Sequence, residues 1–180
     1  MIFSYRECLE KYGTDYKIKK NIQEGKLFMK EKGLYSDERY VPELMIISKK
    51  YPSAILTLNS AFYYHGLTDT IPNVYHIATP KNARKISDAR IKQFYENSEA
   101  FNMGKTTINY DGVNVAVYDK ERLLVELIRN RNKFPFDFYK EVINNYRKII
   151  HELDIAVIAE YSYQLPKTNM VMEILRREVL

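Results

Sequence analysis

The chain has 180 residues, 46% of them apolar and 28% charged, and a formal net charge of +5. That composition supports a buried core, excludes general disorder, and fits one ordinary domain or a small module attached to a larger one. A lone Cys8 excludes an internal disulfide and a cysteine-based metal cluster, and it suits a reducing compartment.

The longest uncharged stretch, Tyr51 to Thr68, contains Thr, Asn, Ser, His and Gly and is too polar for a membrane span. Charges begin at Arg6, so no apolar leader is read and the cytoplasm is the expected location. The charge excess is concentrated. Seven lysines between residues 11 and 32 face only Asp15, Glu24 and Glu31, so this segment carries +4. Such a cluster is either a solvated face or a surface for something anionic, nucleic acid first.

In chain order, Tyr5, Leu9 and Tyr12 form one helical stripe, with Ser4 as its cap and Glu7 as the reciprocal partner of a capping box. Gly13 breaks that helix. Thr14 or Asp15 caps a second one, which runs to about Glu24 and stops at Gly25. LFMKEKGLYS then reads as a hairpin turning through Lys30-Glu31-Lys32-Gly33. Residues 42–50 suit a short helix with Pro42 in its first turn. Residues 54–58 and 74–79 and the segment 90–96 read as strands, and Asn59 or Ser60 caps a short helix closed by Gly66.

Asp111-Gly112 joins two alternating β-branched arms across residues 105–119, a strong hairpin signal. Asp119 caps a helix with Leu123, Leu124, Leu127 and Ile128 on one side. Helices follow at about 137–150, 153–164 and 168–179, started by Asp137, Asp154 and Thr168 or Asn169. The expected class is α+β: a short N-terminal winged helix-turn-helix over 1–40, then over 41–180 a mixed sheet with packed helices and a helical C-terminal tail.

Two helices joined by a glycine turn and followed by a two-stranded ribbon follow the order of a winged helix-turn-helix. The second helix of that motif needs one face for packing and another for the major groove. Ile18 and Ile22 supply the first. Lys17, Lys20, Asn21 and Glu24 fall together on another side. Lys17, Lys19 and Lys20 are candidate phosphate contacts, Asn21 can bond an adenine edge, and Lys30 and Lys32 sit at the ribbon tip.

Several blocks then coincide in order: Gly33-Leu34-Tyr35, the YP-x-A-I entry at 51–55, S-A-x-x-x-H-G-L-T-D at 60–69, and D-x-E-R-L-L at 119–124. Together they span most of the chain and resemble the AbiEi family of bacterial antitoxins, from type IV (abortive infection) toxin–antitoxin systems. The resemblance implies a winged module that binds inverted repeats in its own promoter and represses the operon. It also implies a C-terminal domain that counters a nucleotidyltransferase-like toxin without forming a stable complex. The family's leading helix has no counterpart before Ser4, so a short winged module is expected.

Within that frame, His65, Arg129, Arg131, Lys133, Arg176 and Arg177 are candidates for the antitoxin patch. Each also has a structural reading. His65 can bond the end of its own helix, and the cations can complement helix C-termini. Glu121 and Arg122 are either a reactive pair or a helix-start acid with an Arg that clamps a neighbouring loop. His65, His76 and His151 lack metal-ligand spacing, and there is no phosphate loop or nucleophile motif. No enzyme activity, metal or cofactor is expected. The alternative is a stand-alone transcriptional regulator whose C-terminal domain senses a signal or dimerises.

Overall fold

The computed structural model describes all 180 residues, Met1–Leu180. It begins with a strand that the sequence pattern does not announce, β1 (Ile2–Ser4), followed by α1 (Tyr5–Tyr12) and α2 (Asp15–Gln23). A hairpin of β2 (Phe28–Glu31) and β3 (Leu34–Ser36) comes next, then α3 (Glu43–Lys50). β3 lies in the middle of a three-stranded antiparallel sheet ordered β1-β3-β2, with Phe3 opposite Tyr35 and a bulge between Met29 and Glu31.

The local signals account for these helices. Ser4 Oγ accepts the Glu7 amide while the Glu7 carboxylate accepts the Ser4 amide, so the expected capping box forms. Thr14 caps α2 through the Lys17 amide. Phe3, Cys8, Ile18 and Leu27 make the core of this part, with Leu9, Tyr12, Ile22 and Tyr35 packed against them. Burial of a side chain such as Ile18 contributes roughly 1.5–3 kcal/mol. Cys8 is fully buried, and burial pushes its thiol up, which makes it a packing residue.

Glu7 also reaches forward in the chain: its Oε1 accepts Lys49 Nζ of α3 at 2.7 Å. This contact, followed by the bonds from Ser4, holds the Glu7 carboxyl at about 2 against an ordinary 4.5. The folded value lies below the unfolded one, so the stabilisation is complete above about 4.5 and disappears as pH falls towards 2. Glu7→Gln should therefore be less stable than the parent at pH 7 and equal to it near pH 2. Urea titrations at several pH values would read this, and a pH-independent difference would refute it.

The rest of the chain contains β4 (Ile55–Leu56), α4 (Leu58–Tyr64), β5 (Tyr75–Pro80), β6 (Ile91–Glu96), α5 (Ser98–Asn102), β7 (Lys105–Tyr110) and β8 (Val113–Tyr118). Helices α6 (Lys120–Arg129), α7 (Phe136–Ile149), α8 (Ile155–Gln164) and α9 (Thr168–Ile174) follow, and a π turn at Leu175–Val179 ends the tail. The five strands form a mixed sheet ordered β6-β5-β4-β8-β7; β5 runs parallel to β6 and antiparallel to β4, and β4 runs parallel to β8. The fold is α+β, with helices packed on a mixed sheet. No helix is long and apolar enough to cross a membrane.

Contacts divide the chain into two compact units, 1–53 with the hairpin tip 109–115, and 54–108 with 116–180. The expected division at residue 40 falls inside the first unit, because Leu44, Met45 and Ile47 of α3 are buried and α3 packs on β1.

Some boundaries differ from the sequence expectation. α4 starts at Leu58 after Thr57, and neither Asn59 nor Ser60 caps it. The Ser60 hydroxyl instead accepts the His76 amide of β5 at 2.8 Å, so a cross-element bond takes the group that would cap. α7 starts after Pro135, whose ring pre-sets the helix entry, and so begins one residue before Asp137. α5 was not expected; Asn97 caps it through the Ala100 amide. Asp119 and Asp154 cap α6 and α8 as expected.

Candidate functional site

On α2, Ile18 is buried and Ile22 half-buried, and both pack into the first unit's core. At 100° per residue the opposite side presents Tyr16, Lys17 and Lys20, with Glu24 just beyond the last turn. Tyr16 is 75% exposed, so a large ring stands in water beside two lysines. Tyr16 is not among the candidates read from the sequence, although the same periodicity places it there.

The candidate lysines differ in how free they are. Lys19 is paired with Asp15 at 2.7 Å, and Lys20 lies 3.8 Å from Glu24, which Lys26 also holds at 2.7 Å. Exposed pairs of this kind are screened by solvent and salt and hold their side chains only weakly. Lys17 is exposed on the helix and Lys32 is exposed in the hairpin turn. Lys30 Nζ donates to the Arg39 carbonyl at 2.6 Å and lies over the Phe28 ring, so it braces the hairpin. Asn21 Nδ2 donates to the Lys17 carbonyl at 2.8 Å, and reading a base edge would require it to exchange that bond.

The second unit does not gather its six candidates into one patch. His65 Nε2 donates to the Tyr118 carbonyl at 2.8 Å, and burial lowers its pKa, so a neutral ring ties the end of α4 to the end of β8. Arg131 lines a groove with Tyr139 and Arg147. Arg176 and Arg177 line another beside Thr168 and Met172, where Arg177 pairs with Glu178 at 3.0 Å. Arg129 and Lys133 share a third cavity.

That cavity, of about 300 Å³, is the most chemically distinctive place in the unit. The parallel register pairs His76 with Lys92, Ala78 with Phe94 and Pro80 with Glu96, so one face of the β5–β6 edge presents His76, Lys92, Phe94 and Glu96. Glu126, Arg129 and Asn130 at the end of α6 face it, with Lys133 and Phe134 following and Thr57–Asn59 completing the wall. Leu58 adopts φ 45°, a left-handed conformation that is strained for a bulky residue.

Behind the cavity lies a buried ionic network. The Arg122 side chain is fully buried; its Nε and Nη2 donate to Glu126 Oε1 at 3.1 and 2.7 Å, and its Nη1 donates to the Ala100 carbonyl at 3.2 Å. Glu126 Oε2 is ion-paired with Arg129 Nε at 3.1 Å and accepts from Asn130 Nδ2 at 2.9 Å. Burial, reinforced by Glu126, raises the Glu96 carboxyl. Burial, together with Lys92, lowers His76 to about 4, so its ring is neutral at neutral pH. Arg122 thus clamps the α5 segment, and Glu121 accepts the Asp154 amide at the start of α8; both groups of the suspected reactive pair hold the fold.

No three His, Cys, Asp or Glu groups are placed to hold a metal ion. No family model matches the chain, and no curated protein matches it.

Proposed function

We propose that the chain is a promoter-binding antitoxin of the type IV kind, with the first unit reading DNA and the second carrying antitoxicity in the cytoplasm. The observation that carries the DNA half is the outward face of α2, where Tyr16, Lys17 and Lys20 stand opposite the core face of Ile18 and Ile22. Strand, helix, helix and hairpin, with the first strand bonded to the last, is compatible with the two-helix-and-wing part of a winged helix-turn-helix. It supports α2 as the recognition helix and the β2–β3 turn, with Lys32, as the wing. α3 packs on β1 and adds helical cover to this unit.

The antitoxin half rests on the four sequence blocks that resemble the AbiEi family. The expected partners are inverted repeats of the chain's own promoter and, functionally, a nucleotidyltransferase-like toxin that it counters without a stable complex. A second reading, a stand-alone regulator with a sensing domain, is favoured by one observation: the second unit has a cavity lined by two residues with unsatisfied buried polar atoms. Two assays separate the readings. Gel-shift titration at low salt should retard the upstream region, and co-expression with a neighbouring nucleotidyltransferase-like gene should restore growth. Absence of retardation refutes the DNA half. Retardation without rescue leaves the stand-alone regulator.

A further inference from the structure

Two buried side-chain polar atoms have no hydrogen-bond partner, His76 Nδ1 and Arg129 Nη1, and both belong to residues lining the same cavity of the second unit. An orphaned buried donor costs about 1–3 kcal/mol, so native structures rarely keep one without a use. His76 is only 8% exposed, and its ring packs against Phe94 at 5.2 Å between centroids. Arg129 has one side of its guanidinium held by Glu126, which fixes the group while Nη1 stays unpaired. The strained Leu58 lies in the same wall.

The lining specifies a chemistry. A fixed guanidinium with a spare N–H is a site for an anionic oxygen. Lys92 and Lys133, both exposed, add positive charge beside it, and Glu96 and Glu126 are already engaged with Arg122 and Arg129. Phe94 and Phe134 supply ring surface of the kind on which a planar heterocycle stacks, an interaction worth about 1–3 kcal/mol per base. Asn59 and Asn130 supply amides near those rings. A volume of about 300 Å³ lies at the lower end for small-molecule sites. It suits a ligand of the size of a single nucleotide.

We propose that this cavity binds a nucleoside monophosphate, with the phosphate on the Arg129 guanidinium, Lys92 and Lys133 and the base against Phe94 and Phe134. The inference is independent of both functional readings. In the antitoxin it makes the second unit responsive to a nucleotide, and in the regulator it names the signal.

The test is calorimetric titration of the full chain with AMP, GMP, CMP and UMP, using ribose 5-phosphate and inorganic phosphate as controls. At least one monophosphate should bind with a Kd below about 1 mM and about tenfold more tightly than either control. The double variant Lys92→Ala/Lys133→Ala alters only exposed side chains and should remain folded. It should weaken that binding about tenfold and flatten its salt dependence. Phe94→Leu should weaken the nucleotide but not inorganic phosphate. Absence of binding by all four nucleotides at about 5 mM overturns the proposal. Equal affinity for ribose 5-phosphate overturns it too, as does nucleotide binding unchanged in both variants.

Discussion

Arg122→Met should destabilise the chain by about 3–5 kcal/mol, the range for breaking a buried ion pair from one side. Against a typical total of about 5–15 kcal/mol, that leaves the second unit marginal or unfolded. The cause is the number of bonds one side chain makes without contact with water. Its guanidinium donates to Glu126 twice and to the Ala100 carbonyl once, touches Met103 Sδ at 3.2 Å, and lies over the Tyr118 ring at 5.0 Å. Methionine fills much of the volume but leaves Glu126, 5% exposed at its side chain, with only Arg129 and Asn130 as partners.

The backbone is built around the same side chain. A Cβ at Gly104, where φ is +68°, would come within 2.7 Å of Arg122 Cβ and 2.9 Å of Asp119 Oδ1, so the α5–β7 turn approaches α6 as only glycine allows. Replacing both charges, Arg122→Met with Glu126→Met, should recover much of the loss, since apolar substitutes for a buried pair are often neutral. Urea denaturation of the single and double variants closes the cycle. A single-variant loss below about 1 kcal/mol would show that the network contributes little.

The second large effect concerns DNA. Lys17→Glu with Lys20→Glu should weaken promoter binding on the order of a hundredfold and lower the salt slope by about two, one for each lost phosphate contact. Lys19→Glu alone should do less, because Lys19 projects about 100° away from the Tyr16–Lys17–Lys20 face and is paired with Asp15 at 2.7 Å. Lys20→Glu adds a like charge near Glu24, a small effect between two solvent-exposed groups. Far-UV circular dichroism should therefore show the helix intact. A loss from Lys19→Glu about half as large in log Kd as that from Lys17→Glu/Lys20→Glu, in proportion to the charge changed, would mean that net charge, and not this face, governs binding.

The helices and hairpins were legible where the signal lies within a few residues. The Ser4–Glu7 box, Thr14, Asp119, Asp154 and the Asp111-Gly112 turn all act over at most four positions, and the structure uses each of them. β1 was not legible: Ile2–Ser4 is too short to show alternation, and only pairing with β3, some thirty residues away, makes it a strand. On α6 the pattern marked one apolar side, yet every residue from Arg122 to Ile128 is buried. Packing by α4, α8 and α9 on other sides of the helix takes even its charged positions out of water.

The candidate sites divide the same way. The lysine side of α2 follows from the 3.6-residue period, which assigns Ile18 and Ile22 to packing and leaves Lys17 and Lys20 outward. Sequence alone thus determined a chain of capped helices and hairpins with a basic second helix, because caps, turns and periodicity are local physics. The cavity joining His76, Lys92 and Arg129, and the burial of Arg122 with Glu126, were decided by tertiary structure alone. Strand register and helix docking bring together residues that lie up to some fifty positions apart, and a side chain's solvent is set by neighbours that no local pattern names.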